Sequence, residues 1–267
     1  MEKFLDQFNA NRDGWNVRTP HHVKSDFYAV ENFVAGATSL RFIEIEELGN
    51  IAGRALLHLM CHFGQDTLSL ARMGARATGI DFSDQAIAAA RDLARKTGLE
   101  AEFHCCNLYD TRKYVSGRFD IVYTSYGVIG WLPDLMEWGR IIAESLNPGG
   151  TFYIVEFHPF VWMMDDKFEK FAYSYFHSED PLELDLQGTY TDRTAPIRHK
   201  DFNWIHTLGD VVNALIAAGL EIEFLHEFPF TVYDCFPNLE KTGEQRWVFK
   251  SLKDTIPYLF SIRARKK

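Results

Sequence analysis

From residue 54 to about residue 158, short apolar runs alternate with segments in which apolar positions return every three or four residues. That rhythm predicts parallel strands joined by crossover helices, because a strand buried on both faces reads as a continuous apolar run and a covering helix as a one-sided stripe. Ala55 to Met60 reads as the first strand, and Gly64 as the tight turn into a helix that begins near Gln65 and ends at Met73 and Gly74. Arg76 to Asp81 is a second strand. Ser83 and Asp84 then offer N-cap chemistry, Ala86, Ile87, Ala90, Leu93 and Ala94 share one helical face, and Gly98 stands where a left-handed C-terminal residue belongs.

Ala101 to Cys105 and Phe119 to Thr124 read as the third and fourth strands. After a loop ending at Pro133, residues Leu135, Trp138, Ile142 and Leu146 recur at helical spacing, Asn147-Pro148-Gly149-Gly150 stops that helix, and Thr151 to Phe157 is the fifth strand. Leu208, Val211, Val212 and Leu215 make a further stripe, followed by strands at Glu221 to Phe228 and about Pro257 to Ile262. Only a loop-rich segment separates these two, which suits antiparallel pairing.

Two regions fall outside the alternation: an N-terminal helical arm, residues 1–50, and residues 157–204 within the main domain of residues 51–267. The second region concentrates aromatic residues, among them Phe160, Trp162, Phe171, Tyr173, Tyr175, Phe176, Tyr190 and Trp204, between charged ones. It reads as a lid-like insertion covering a ligand, with a satellite core as the plainer alternative.

With 267 residues, 46% of them apolar and 24% charged, the chain can build an ordinary core. Its 28 basic residues against 37 acidic ones give −9, which argues against a surface made to neutralise phosphates, so no nucleic-acid partner is expected. No apolar stretch has spanning length and the first residues lack a signal-peptide pattern, so no membrane partner and a cytoplasmic location are expected. Cys61, Cys105, Cys106 and Cys235 have neither zinc-site nor disulfide-framework spacing, so reduced thiols and no metal are expected.

In an open α/β sheet the ligand crevice lies beyond the carboxyl ends of the strands. Asp81 ends the second strand, where a carboxylate can accept hydrogen bonds from both hydroxyls of a ribose; Phe82 can lie against an adenine face, and Asn107, with Leu108 beside it, can meet the adenine edge. The first turn holds Gly64 alone, whereas a diphosphate requires a Gly-rich turn. A nucleoside without phosphates is the ligand these strand ends suit.

Leu57 to Gly64, then Gly79-Ile80-Asp81-Phe82-Ser83, then Phe119 to Val122, then Leu146 to Gly150 form an ordered series. In that order the chain resembles the class I S-adenosylmethionine-dependent methyltransferases, specifically their bacterial small-molecule members. The resemblance implies an α/β, Rossmann-like, seven-stranded and mostly parallel sheet with helices on both faces and the last strand antiparallel. It also implies S-adenosyl-L-methionine as cofactor, S-adenosyl-L-homocysteine as product and a small-molecule acceptor methylated on O or N. His58, Met60, Cys61, Gly64, Asp81, Phe82, Asn107, Leu108, Ser125 and Trp15 are the candidate cofactor-binding residues. The chain departs from the family's first motif: His58 stands at the usual acid, and Met60 and His62 at two usual glycines. Backbone groups there still meet the methionine half of the cofactor if Met60, Cys61 and His62 hold ordinary negative φ.

Methyl transfer from a sulfonium is an in-line displacement for which alignment supplies much of the rate, and a base serves only some nucleophiles. His158 after the fifth strand is the first candidate for that base, with Tyr126 and His206 behind it, and a buried hydrogen-bonded histidine is the alternative for His158. Arg18 or Arg193 can pair a substrate carboxylate. A non-catalytic cofactor-binding protein and a nucleotide-dependent oxidoreductase are the competing functions. Monomer and homodimer are equally open.

Overall fold

The computed structural model describes residues 2–165 and 167–267. The N-terminal arm is helical: α1 (Leu5–Lys24), α2 (Val30–Val34) and α3 (Phe42–Leu48). Then follow β1 (Ala55–Leu59), α4 (Gln65–Arg72), β2 (Arg76–Asp81), α5 (Asp84–Thr97), β3 (Ala101–Cys105), the short α6 (Thr111–Tyr114), β4 (Phe119–Ser125), α7 (Leu135–Ser145) and β5 (Leu146–Phe157). The remainder holds β6 (Leu182–Gln187), β7 (Arg198–Asn203), α8 (Leu208–Ala217), β8 (Leu220–Phe228), β9 (Leu239–Gly243), β10 (Arg246–Phe249) and β11 (Leu259–Lys266).

Seven strands form one sheet in the order β3-β2-β1-β4-β5-β11-β8. The first five run parallel, and β11 lies antiparallel between β5 and β8, so the last strand has the expected direction. Strand order reverses between β1 and β4, which opens a crevice at their carboxyl ends. The sequence signals for α5 hold atom by atom: the Ser83 hydroxyl accepts from the Ala86 N–H at 3.0 Å, and Gly98 ends the helix at φ 66°.

Each face of the sheet is covered. Trp138, Phe152, Ile142 and Val211 pack on one side, and Tyr123, Tyr153, Val155 and Tyr258 on the other, where α3 lies across the strands. A smaller cluster of Cys61, Phe63, Leu68, Ile87 and Phe103 fills the space beneath α4 and α5. The aromatic-rich insertion contributes a β6–β7 hairpin, and a second hairpin, β9–β10, lies in the segment that reads as loop in the sequence. Its strands are only five and four residues long, too short for a period-two pattern to stand out. Among the described residues no helix is long and apolar enough to cross a membrane.

Candidate active site

The turn after β1 corrects one expectation. Met60 and His62 hold positive φ, 59° and 51°, and Cys61 alone of the three stays outside that region. The backbone therefore keeps the shape that glycines would give it, at a cost of about 1–2 kcal/mol per side chain forced into the left-handed region. Bonds to the neighbouring strand hold it there: the Cys61 N–H donates to the Ile80 carbonyl at 2.8 Å and the His62 N–H to the Asp81 carboxylate at 2.9 Å. Gly79 leaves room for the turn, since a Cβ there would lie 2.8 Å from the Cys61 sulfur. Cys61 thus points its thiol into the core, and only its backbone is left for a ligand. Gly64, at φ 79°, is enclosed by Phe103 and Ala90, which a Cβ would meet at 2.7 and 2.9 Å.

Beside this turn, Met60, Ile80, Asp81, Phe82, Asn107 and Leu108 line one cleft, closed from above by Phe8 of α1 and by Trp131 and Leu132. Asp81 is the cleft's one carboxylate. Its two oxygens accept from the N–H groups of His62 and Ser83, both at 2.9 Å, and each keeps a further lone pair. Burial raises its pKa to about 6, against the pull of those backbone donors. The Asn107 carboxamide oxygen accepts from the Tyr109 N–H at 3.0 Å and so fixes the side chain at the rim. The cleft measures about 20 Å³, room for roughly one water, so Phe8 and Trp131 must part before a nucleoside enters. A larger open hollow bordered by Arg118, Arg140 and Lys266 lies at the opposite end of the sheet, away from these groups.

His58 and Ser125 sit behind the turn and face each other. His58 Nδ1 is 2.8 Å from the Thr67 hydroxyl and Nε2 3.5 Å from the Ser125 hydroxyl, which in turn donates to Asp66 at 3.2 Å. Burial lowers the His58 pKa to about 3, so a neutral imidazole ties β1 to α4 and β4. The Tyr126 hydroxyl donates to Glu44 of α3 at 2.8 Å. Glu44 is fully buried, and burial first, then the neighbouring Asp66, push its pKa up to about 8.

The N-terminal arm and the insertion meet over the crevice. The Asn11 carboxamide bonds the backbone of Phe202 in β7 at 2.8 and 2.9 Å, Asn16 bonds Ser83 and Asp84 at 2.7 Å each, and Arg18 forms a buried ion pair with Asp201. Trp15 packs its ring at 5.1 Å from His62 and 5.5 Å from Trp131, with the Arg18 guanidinium 4.8 Å above it. Arg18 is thereby spent inside the protein, and Arg193 reaches only the Cys235 carbonyl at 3.4 Å.

His158 and His206 line no part of the cleft. His158 accepts from the Phe160 N–H at Nδ1, 3.1 Å, and meets Glu227 at Nε2, 3.0 Å, so both ring nitrogens have protein partners. His206 meets the Leu132 carbonyl at 2.6 Å and stacks on His177, with its pKa lowered to about 4 by burial. Sequence reasoning did not single out Glu156, the buried acid near the end of β5. Its carboxylate accepts from the N–H groups of Val128 and Ile129 at 2.7 and 3.1 Å, and also from Gly127, so it moulds the loop after β4. The strand-end rule that marked Asp81 applies equally to it. Phe8, Trp131 and His22 carry no comparable local signal.

A family model described as a methyltransferase domain matches residues 56–150. The ubiquinone biosynthesis O-methyltransferase of Aromatoleum aromaticum is 27% identical over 151 residues, covering 57% of this chain and 61% of that one. An uncharacterised methyltransferase of Synechocystis is 30% identical over 134 residues, covering 49% and 60%. The chain thus spans about three-fifths of the length of these two curated relatives. Among solved structures, an S-adenosylmethionine-dependent methyltransferase from Mesorhizobium loti aligns over 87% of this chain and 100% of that one, with TM-score 0.55 and 19% identity. Another from Clostridium acetobutylicum aligns over 93% and 95%, with TM-score 0.59 and 13% identity. These likenesses establish a shared fold. Taken with the motif series and the strand order, the domain match places the chain in the S-adenosylmethionine-dependent methyltransferase family.

Proposed function

We propose that the protein transfers the methyl group of S-adenosyl-L-methionine to an oxygen or nitrogen atom of a small molecule. The observation that carries this reading is Asp81, a carboxylate at the tip of β2 with spare lone pairs, set in a flat cleft between Met60, Phe82 and Leu108. Such a slot suits a nucleoside: the acid accepts from the ribose hydroxyls, the apolar side chains hold the base, and Asn107 meets its edge. Backbone groups of residues 60–64, in their glycine-like conformation, suit the methionine half. The cofactor, when bound, supplies an electrophilic methyl group on a sulfonium.

The chain's own task is then to align the acceptor and keep water out. Trp15 and Trp131, with the Arg18 guanidinium beside them, form a rigid wall above the crevice, fastened by the buried pair of Arg18 and Asp201. An O-methyltransferase among the relatives favours a hydroxyl acceptor. Incubating the protein with methyl-labelled donor and a small-molecule metabolite extract tests the reading. Label appearing in a low-molecular-weight product supports it; a protein that binds the cofactor yet labels nothing is a binding protein instead.

A further inference from the structure

Three segments distant in sequence converge on one chain of hydrogen bonds. His22, near the end of α1, places Nδ1 3.2 Å from Nε2 of His62 in the turn after β1, and its own Nε2 2.5 Å from the Thr189 hydroxyl of the insertion. The His62 ring is walled by Phe63, Trp15 and Tyr28 at 4.6, 5.1 and 5.5 Å. His22 is fully buried, whereas His62 is only half-buried. Among the described residues, Nδ1 of His62 has no hydrogen-bond partner.

His62 also holds a left-handed backbone, φ 51°, at a place where glycine would sit without strain. Strain of this kind persists where the side chain has a use. The backbone N–H of the same residue bonds Asp81, so one residue spans the nucleoside cleft and the space beneath the cap. We propose that His62 is a catalytic residue that binds an acceptor hydroxyl and takes its proton at Nδ1, with His22 and Thr189 as positioning residues that fix its tautomer. The proposal rests on the methyl-transfer reading and selects hydroxyl acceptors within it.

The proton inventory is consistent. A neutral His62 that donates its Nε2 proton to His22 Nδ1 presents a bare Nδ1; His22 then carries its proton on Nε2 and donates to Thr189. In the reaction the acceptor oxygen loses its proton to Nδ1 and gains the methyl carbon, and the electron pair of the broken carbon–sulfur bond stays with sulfur. The positive charge that leaves sulfur reappears on the imidazole, so the enclosed space carries one positive charge before and after. Arg18 and His21 on α1, Tyr28 after it, Asp81 at the end of β2 and Tyr190 of the insertion are the titratable groups around the pair. Burial and the Arg18 charge hold His62 and His22 neutral, with pKa values lowered to about 3 and 2.

The test uses His62→Asn, since asparagine enters the left-handed region readily, and His62→Gly, which removes the strain altogether. Both variants should bind S-adenosyl-L-homocysteine within about threefold of wild type by calorimetry, and His62→Gly should melt no lower than wild type. Labelling of the metabolite extract should fall about a hundredfold or more, the scale of a lost general base. In wild type, side-chain nitrogen NMR should show His62 neutral at pH 5 with its proton on Nε2. Labelling within threefold of wild type, a proton on Nδ1, or a His62→Gly variant that melts lower and loses ligand would each overturn the proposal, the last by making the pair a structural latch. If wild type itself fails to bind S-adenosyl-L-homocysteine, the methyl-transfer reading falls instead.

Discussion

The backbone N–H of His62 donates to the carboxylate of Asp81 at 2.9 Å, which makes the turn after β1 and the acid at the tip of β2 a single unit. The strained turn is held by the same oxygen atoms that face the nucleoside cleft. Ligand binding and turn geometry are therefore coupled, and changes at Asp81 act on both.

Acidification should weaken the cofactor. The ionised Asp81 is the form that accepts from ribose hydroxyls, and its pKa is raised to about 6, so the binding form is present above that value and lost below it. Affinity for S-adenosyl-L-homocysteine should be level near pH 7.5 and fall about tenfold by pH 5, one unit below the pKa. Calorimetric titrations across that range check it, and an affinity unchanged at pH 5 would remove Asp81 from the ligand.

Arg18→Ala should destabilise far more than the loss of a surface charge, because it strands Asp201 in a buried site. Breaking one side of a buried pair costs about 3–5 kcal/mol, whereas replacing both partners by apolar residues costs much less. Denaturant melts of Arg18→Met, Asp201→Leu and the double variant should show the double closer to wild type than either single. Additive losses would contradict a buried, self-contained pair.

Glu44→Gln should stabilise the protein at alkaline pH. Folded Glu44 keeps a proton up to about pH 8, whereas the unfolded chain releases it near the ordinary value of 4.5, so folding is progressively penalised as pH rises between the two. The stability gained by the variant should widen from pH 5 to pH 8.5 by on the order of 3 kcal/mol. A gap that stays constant with pH would place the ionised form in the fold.

His158→Asn should cost stability more than chemistry. Both ring nitrogens of His158 are engaged, by the Phe160 N–H and by Glu227, so the side chain has no lone pair left for a substrate. Losing these bonds should cost about 1–3 kcal/mol, with labelling per folded molecule within a few-fold of wild type. A hundredfold loss of labelling in a variant that melts normally would restore His158 as the base.

Much of this architecture is legible along the chain because the sheet is built from local patterns. The apolar run of β1, the N-cap Ser83 and the terminal Gly98 each act on their own few residues, and each appears in the structure as read. Asp81, Phe82, Asn107, Leu108 and Met60 come together because strand ends of a parallel sheet share one rim. The positive φ of Met60 and His62 was not legible: residue type argues against it, and the bonds from Ile80 and Asp81 that impose it come from the neighbouring strand. The same holds for His22, His62 and Thr189, which only the packing of the arm on the insertion brings together. Glu156 differs, since its place near the end of β5 was visible and its three backbone donors were not.

The central claim is that the cleft at Asp81 binds an adenosyl cofactor, and isothermal titration of the wild-type protein and Asp81→Ala with S-adenosyl-L-homocysteine tests it most directly. Loss of hydrogen bonds to a charged acceptor is worth about 1.5–3 kcal/mol, so the variant should bind roughly ten- to a hundredfold more weakly, while wild type binds one molecule per chain. Absence of binding by wild type, or equal affinity in a folded Asp81→Ala protein, would contradict the account.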